Sequence, residues 1–173
     1  MHFYQTLNFI NFSEELIKNI GYCRLSSPNN RRTWSGTDYY IVKALLKYCG
    51  NVIVLNPADK KYTIIGKIIS KFYKIILKKN FLYINTNYNL KKIARVLQNQ
   101  ILTHNPDLLF LTAGSQLLSF LNTELPVIYL SDTTFQAMVD YYPDHTNLLH
   151  KSKKMGNFAE AEAIRKATRI IYA

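Results

Sequence analysis

Three short polar segments of this 173-residue chain combine residue types that could hold a hydroxyl-rich or anionic ligand. The first, residues 28–37 (PNNRRTWSGT), offers Arg31 and Arg32 as positive charge, Trp34 as a flat apolar face for a sugar ring or base, and Ser35-Gly36-Thr37 where a helix should begin. Gly36 has no side chain to keep a ligand from the backbone, and a helix start presents free N–H groups to an anion. Asp38 already complements the dipole of that helix, so an ordinary capped connection is the competing reading. A single glycine is also far weaker than the repeated-glycine dinucleotide fingerprint. The second segment, residues 112–116 (TAGSQ), puts Gly114 and Ser115 after an apolar run, where small residues allow either close approach of a ligand or simply a tight turn. The third, residues 130–135 (LSDTTF), gathers Ser131, Asp132, Thr133 and Thr134, a dense set of hydrogen-bonding groups suited to hydroxyls. Asp132 fits equally well as the N-cap of a following helix. Asp140 adds a second carboxylate eight positions on, with no spacing rule that pairs it with Asp132.

The elements that must position these segments alternate. Apolar runs at 20–26, 51–56 (NVIVLN), 107–112 (DLLFLT), 126–130 (PVIYL) and 169–173 (RIIYA) read as strands, with a brief further candidate at 81–85. Helical spacing is present at 37–49, 64–79, 89–103, 114–121, 133–141 and 159–168. In 37–49 it sets Tyr40, Ile41, Ala44, Leu45 and Tyr48 on one side. Gly50 ends that helix, and Asn105-Pro106 ends the one at 89–103. Residues 143–157 are the least regular stretch. Alternation of this kind predicts βαβ units and an α/β fold: a Rossmann-like, mainly parallel sheet with helices on both faces. In open α/β sheets ligands sit outside the carboxyl ends of the strands, which is where all three polar segments fall. Residues 1–18 read as an N-terminal extension with a helix start at Ser13, and residues 19–173 as one domain. The chain stops at Tyr172-Ala173 in what reads as a core strand, whereas domain boundaries usually fall in exposed linkers; the sequence therefore reads as truncated.

Apolar residues at 48% give a globular composition. The four histidines have no H-E-x-x-H or C-x-x-C partner spacing, so no metal is expected, and P-loop and G-x-S-x-G motifs are absent. Cys23 and Cys49 share no ligand-like spacing and read as reduced thiols of a cytoplasmic protein. No segment approaches the length of a membrane-spanning helix. The net charge of +11 favours anionic partners: nucleic acid, an anionic membrane surface or phosphorylated ligands. The lysines are spread along the chain without a nucleic-acid-binding motif, so nucleic acid ranks last. In residues 64–79, Lys67, Lys71, Lys74 and Lys78 fall on one stripe of a helix, with Ile65, Ile68, Ile69, Phe72 and Ile76 on the other side. Two readings fit: a helix lying on an anionic bilayer at the inner face of the membrane, or a surface helix that packs its isoleucines on the sheet and points its lysines at water.

The segments RRTWSGTDYYIVKAL, NPDLLFLTAGS, LPVIYLSDTTFQAMVDYYP and EAEAIRKATRIIYA, in that order, resemble family 4 glycosyltransferases of the GT-B fold. The resemblance implies the N-terminal, acceptor-side half of a retaining enzyme that transfers a sugar from a nucleotide-sugar to a glycan or lipid-linked acceptor without a metal. It implies cleft positions at Trp34, Ser35, Gly36, Thr37, Gly114, Ser115, Ser131, Asp132 and Thr133, with Arg31 and Arg32 near phosphate. The nucleotide-sugar is a co-substrate held mainly by a C-terminal partner domain, and no tightly bound cofactor is implied. The chain departs from the family twice. Ser131-Asp132 stands where many members carry His-Asp, and the donor-binding Glu-x7-Glu pair is absent from residues 1–173. Because catalysis needs donor and acceptor held together, this chain is expected to be inactive alone. The alternative expectation is a non-catalytic module that binds an anionic membrane or a partner chain.

Overall fold

The computed structural model describes residues 19–28, 31, 33–58 and 60–172, the side chains of residues 33 and 60–63 excepted. Outside it fall the N-terminal extension with its Ser13 helix start, Arg32 and Ala173. Five strands, β1 (Asn19–Cys23), β2 (Asn51–Leu55), β3 (Leu108–Thr112), β4 (Val127–Ser131) and β5 (Arg169–Tyr172), form one sheet in the order β2-β1-β3-β4-β5. Every pairing is parallel. The connections carry α1 (Thr37–Tyr48), α2 (Lys60–Leu77), α3 (Asn87–His104), α4 (Ser115–Leu118), α5 (Phe135–Met138) and α6 (His150–Lys166). This is the expected α/β, Rossmann-like architecture.

Strand alternation sorts the core into two layers. Ile20 and Tyr22 of β1 and Leu108 and Phe110 of β3 meet Ile41, Val42 and Leu45 of α1. On the other face Cys23, Leu109, Leu111 and Tyr129 pack with Leu97 of α3, Leu117 of α4 and Ala163 of α6. β3 is buried at all five positions, which is why its sequence is one continuous apolar run. Helix α3 follows the signals in its sequence: Thr86 accepts from Asn89 N at its start, and Asn105 closes it in a left-handed conformation (φ 44°) ahead of Pro106.

Several expectations need correction. Residues 81–85 form no strand; Asn80 makes a single bridge to Leu148, and Tyr83–Asn85 is a 3-10 turn. β2 is an edge strand with Val54 exposed, although its continuous β-branched run is the pattern of a strand covered on both faces. β5 is the opposite edge and is exposed at all four positions, not a core strand. The helix expected at 133–141 is one turn. The helix expected at 159–168 begins at His150, inside the stretch that read as irregular. Helix α1 buries Asp38 and partly buries Ile41, Val42 and Leu45, while Tyr40, Ala44 and Tyr48 are exposed.

The largest correction concerns α2. Of the side chains expected to pack on the sheet, Ile68, Phe72 and Ile76 are each at least 58% exposed and Ile65 is 37% exposed; Ile69 alone is half-buried. The helix is held by its narrow third side. A Cβ on Gly66 would come within 2.7 Å of Tyr83 Cδ1, so only glycine permits this approach. Ser70 Oγ donates to Phe81 O at 2.8 Å, and the Tyr73 and Phe81 rings lie 4.4 Å apart.

Candidate functional site

The strand order reverses between β1 and β3, so the crevice at their carboxyl ends is where an open α/β sheet binds ligands. A buried polar cluster floors it. Asp38, on the first turn of α1, is fully buried and turns its carboxylate into the sheet rather than along the helix axis, against the dipole-complementing role expected of it. Tyr22 OH donates to Asp38 Oδ1 at 2.6 Å, and Thr112 Oγ1 donates to the same oxygen at 2.7 Å. Burial, then the neighbouring carboxylate, pushes the Tyr22 hydroxyl well above the usual phenol range, so it stays a donor.

Arg24, the residue after β1, closes the cluster. Its Nε lies 3.0 Å from Asp38 Oδ2 but aims its N–H at Ser26 Oγ, 3.1 Å away, so Oδ2 accepts no well-directed hydrogen bond and is held by charge. A second guanidinium N–H reaches the Thr112 carbonyl. The Arg24 side chain is only 12% exposed, so this is a nearly buried ion pair.

Trp34 stacks over that guanidinium, 5.0 Å from ring centroid to Cζ. The loop carrying it winds left-handed through three residues: Trp34 (φ 48°, ψ 46°), Ser35 (φ 53°, ψ 26°) and Gly36 (φ 83°, ψ −1°). For the two non-glycine residues that conformation costs roughly 1–2 kcal/mol each. The Trp34 indole N–H donates to Asp132 Oδ2 at 3.2 Å, which fixes the ring across the crevice.

The three polar segments therefore converge. Trp34, Ser35, Gly36 and Thr37 form the lip before α1, and no side chain caps that helix start. Ser131 is buried and donates to Thr133 O at 2.8 Å, which shapes the turn that exposes Asp132. Asp132 is not the cap of α5; Thr134 is, accepting from Ala137 N. Gly114 and Ser115 are buried beneath the rim, behind Ala113 at φ 40°. The arrangement does not include Arg31, whose guanidinium donates to Tyr39 OH at 2.8 Å and lies over that ring. Asp140 pairs with Lys153 at 3.1 Å instead of with Asp132.

Tyr22, Arg24 and Glu160 carry no motif or spacing that marks them in the sequence. An arginine directly after a buried strand was the available signal for Arg24. Glu160 of α6, 7% exposed, accepts from Tyr129 OH and Tyr172 OH, each at 3.2 Å, and burial raises its pKa against the hydrogen bonds from Ser115, Tyr172 and Tyr129. A groove of about 680 Å³ opens on the same rim, between Leu25 and Pro57 on one side and Lys67, Lys71 and Lys74 of α2 on the other. Among the described residues no three His, Cys, Asp or Glu side chains gather closely enough to hold a metal ion.

The crevice presents groups that can hold a ligand. Its two inner hydroxyls both donate to Asp38, so neither faces a free base. What it offers a ligand is an indole ring, an accessible carboxylate, the uncapped start of α1 and small-residue backbone. No family model, curated protein or solved structure matches the chain.

Proposed function

We propose that this chain is the acceptor-side half of a GT-B-type retaining glycosyltransferase and binds a hydroxyl-rich acceptor in the crevice between β1 and β3. The observation that carries this reading is the Trp34–Asp132 hydrogen bond, which joins two segments of the family resemblance across 98 positions of sequence. It sets an aromatic ring beside a carboxylate, the pairing that suits a sugar: apolar ring face against indole, hydroxyl against Asp132. Ser35, Gly36, Thr37, Gly114 and Ser131 supply backbone and hydroxyl contacts, and Thr133 shapes the Asp132 turn. No nucleophile or general base is assigned. The nucleotide-sugar is a co-substrate, and the residues for it belong to a partner domain.

Trp34 is the only tryptophan, so its fluorescence reports on the crevice directly. Titration with a panel of methyl glycosides, oligosaccharides and sugar phosphates should give a saturable change with at least one member. Asp132→Asn should weaken that binding about tenfold, as loss of one charge-assisted hydrogen bond would. No response to any member would refute the reading. Purified alone, the chain should show weak or no transfer from a nucleotide-sugar; robust turnover would overturn the half-cleft assignment.

A further inference from the structure

Helix α2 divides its surface into three stripes. At about 100° per residue, Gly66, Ser70 and Tyr73 face the protein, Lys67, Lys71 and Lys74 lie to one side of that seam, and Ile64, Ile68, Phe72, Ile75 and Ile76 form the remaining face. That apolar face is open: Ile64 is 61% exposed, Ile68 65%, Phe72 59%, Ile75 66% and Ile76 58%. Five large apolar side chains in one contiguous exposed stripe are far more than scattered surface hydrophobics and mark a contact surface. None of the described helices is long and apolar enough to cross a membrane.

We propose that α2 docks this chain on an anionic bilayer, with the isoleucine–phenylalanine stripe in the acyl boundary and the lysine row among the headgroups. Charge selects this occupant. The lysines flank the apolar face, so a helix lying flat with its stripe inward carries them at headgroup height, the disposition of interfacial amphipathic helices. Lys78 and Lys79 follow the helix end directly and add positive charge there. A second copy fits worse: chains that each carry +11 repel, and an antiparallel two-fold contact through this face sets like lysine rows side by side. The lysines also overhang the groove that opens on the rim of β1 and β2, so docking would hold that rim at the bilayer surface. The docking does not require sugar transfer, and sugar binding at Trp34 does not require docking.

Co-sedimentation of the full chain with vesicles tests this. Vesicles holding about 30% phosphatidylglycerol in phosphatidylcholine should bind it at least about tenfold better than pure phosphatidylcholine, and about 0.5 M salt should release most of it. Lys71→Gln with Lys74→Gln should weaken partitioning roughly thirtyfold, at about 1 kcal/mol per lysine. Ile68→Ser with Phe72→Ser should abolish binding while leaving thermal unfolding unchanged, because both side chains already face water. Equal binding to neutral and anionic vesicles, or binding that survives the serine variant, would overturn the proposal. So would a concentration-dependent dimer that the serine variant dissolves while vesicles go unbound, since that assigns the stripe to a second copy.

Discussion

Replacing Asp38 by Asn keeps the shape of the buried cluster and removes its charge, which makes it the sharpest test of how the crevice floor is built. The amide oxygen can still accept from Tyr22 and Thr112, whose donors lie 2.6 and 2.7 Å from Oδ1. Both bonds fall from charged-acceptor to neutral strength, roughly a 1 kcal/mol loss apiece at most. The amide NH2 then faces Arg24 Nε across the 3.0 Å now occupied by Oδ2, donor against donor, and the guanidinium has lost its counter-charge while only 12% exposed. Breaking a buried pair in this way costs about 3–5 kcal/mol. Arg24 keeps Ser26 and the Thr112 carbonyl and retains some access to water, so the lower end applies, about 3 kcal/mol. Urea unfolding should show a midpoint lowered by about 1.5 M with an unchanged slope, taking a slope near 2 kcal/mol/M. Arg24→Met in the Asp38→Asn background should cost much less than in the wild type, with a coupling of about 1 kcal/mol or more. An Asp38→Asn variant within about 0.5 kcal/mol of wild type would refute the reasoning: the carboxylate would then not be needed against Arg24.

Three further outcomes follow from the same geometry. Because burial raises the folded-state pKa of Glu160, its contribution is fully present below the unfolded value near 4.5 and is lost as pH rises through the folded one. The stability of Glu160→Gln relative to wild type should therefore shift in the variant's favour as pH rises above about 4.5; a difference in thermal unfolding that stays flat over that rise would disprove it. Gly156→Ala adds a methyl that overlaps the ring of Phe135, which is 2% exposed, so it should lower stability by about 1–3 kcal/mol despite alanine's better helix propensity; a stabilised variant in chemical denaturation contradicts that packing. Ser35→Gly should instead raise stability by about 0.5 kcal/mol, since relief of the left-handed φ of 53° exceeds glycine's unfolded-state entropy; destabilisation would show the turn is held by the serine side chain.

The sheet was legible because β1, β3 and β4 are apolar runs bounded by small or polar residues, which periodicity detects directly. Helix α6 was half missed for a physical reason. Its buried positions are Ser152, Gly156, Ala159, Glu160 and Ala163, so the inward stripe is made of small and polar residues and carries no hydrophobic period. The lysine and isoleucine stripes of α2 were visible on a helical wheel. What the wheel could not supply was the third side, Gly66-Ser70-Tyr73 against residues 81–83, which decides that the isoleucines stay outside. At the crevice the three polar segments were each found at a strand end, but the contact between Trp34 and Asp132 depends on sheet order. Asp38 misled for the same reason. A dipole argument is local, whereas the partners that turn its carboxylate inward come from two neighbouring strands, 16 and 74 positions away.

The grip of Arg24 on its surroundings has a thermodynamic corollary. One guanidinium touches the ends of β1 and β3, the first turn of α1 and the ring of Trp34, and that ring reaches on to the β4 turn. Loops clamped to a common strut leave little chain entropy for a ligand to remove. Binding in the crevice should then be a rigid-body event, its heat capacity change set by displaced water and covered indole, and its association rate free of any lag for loop closure.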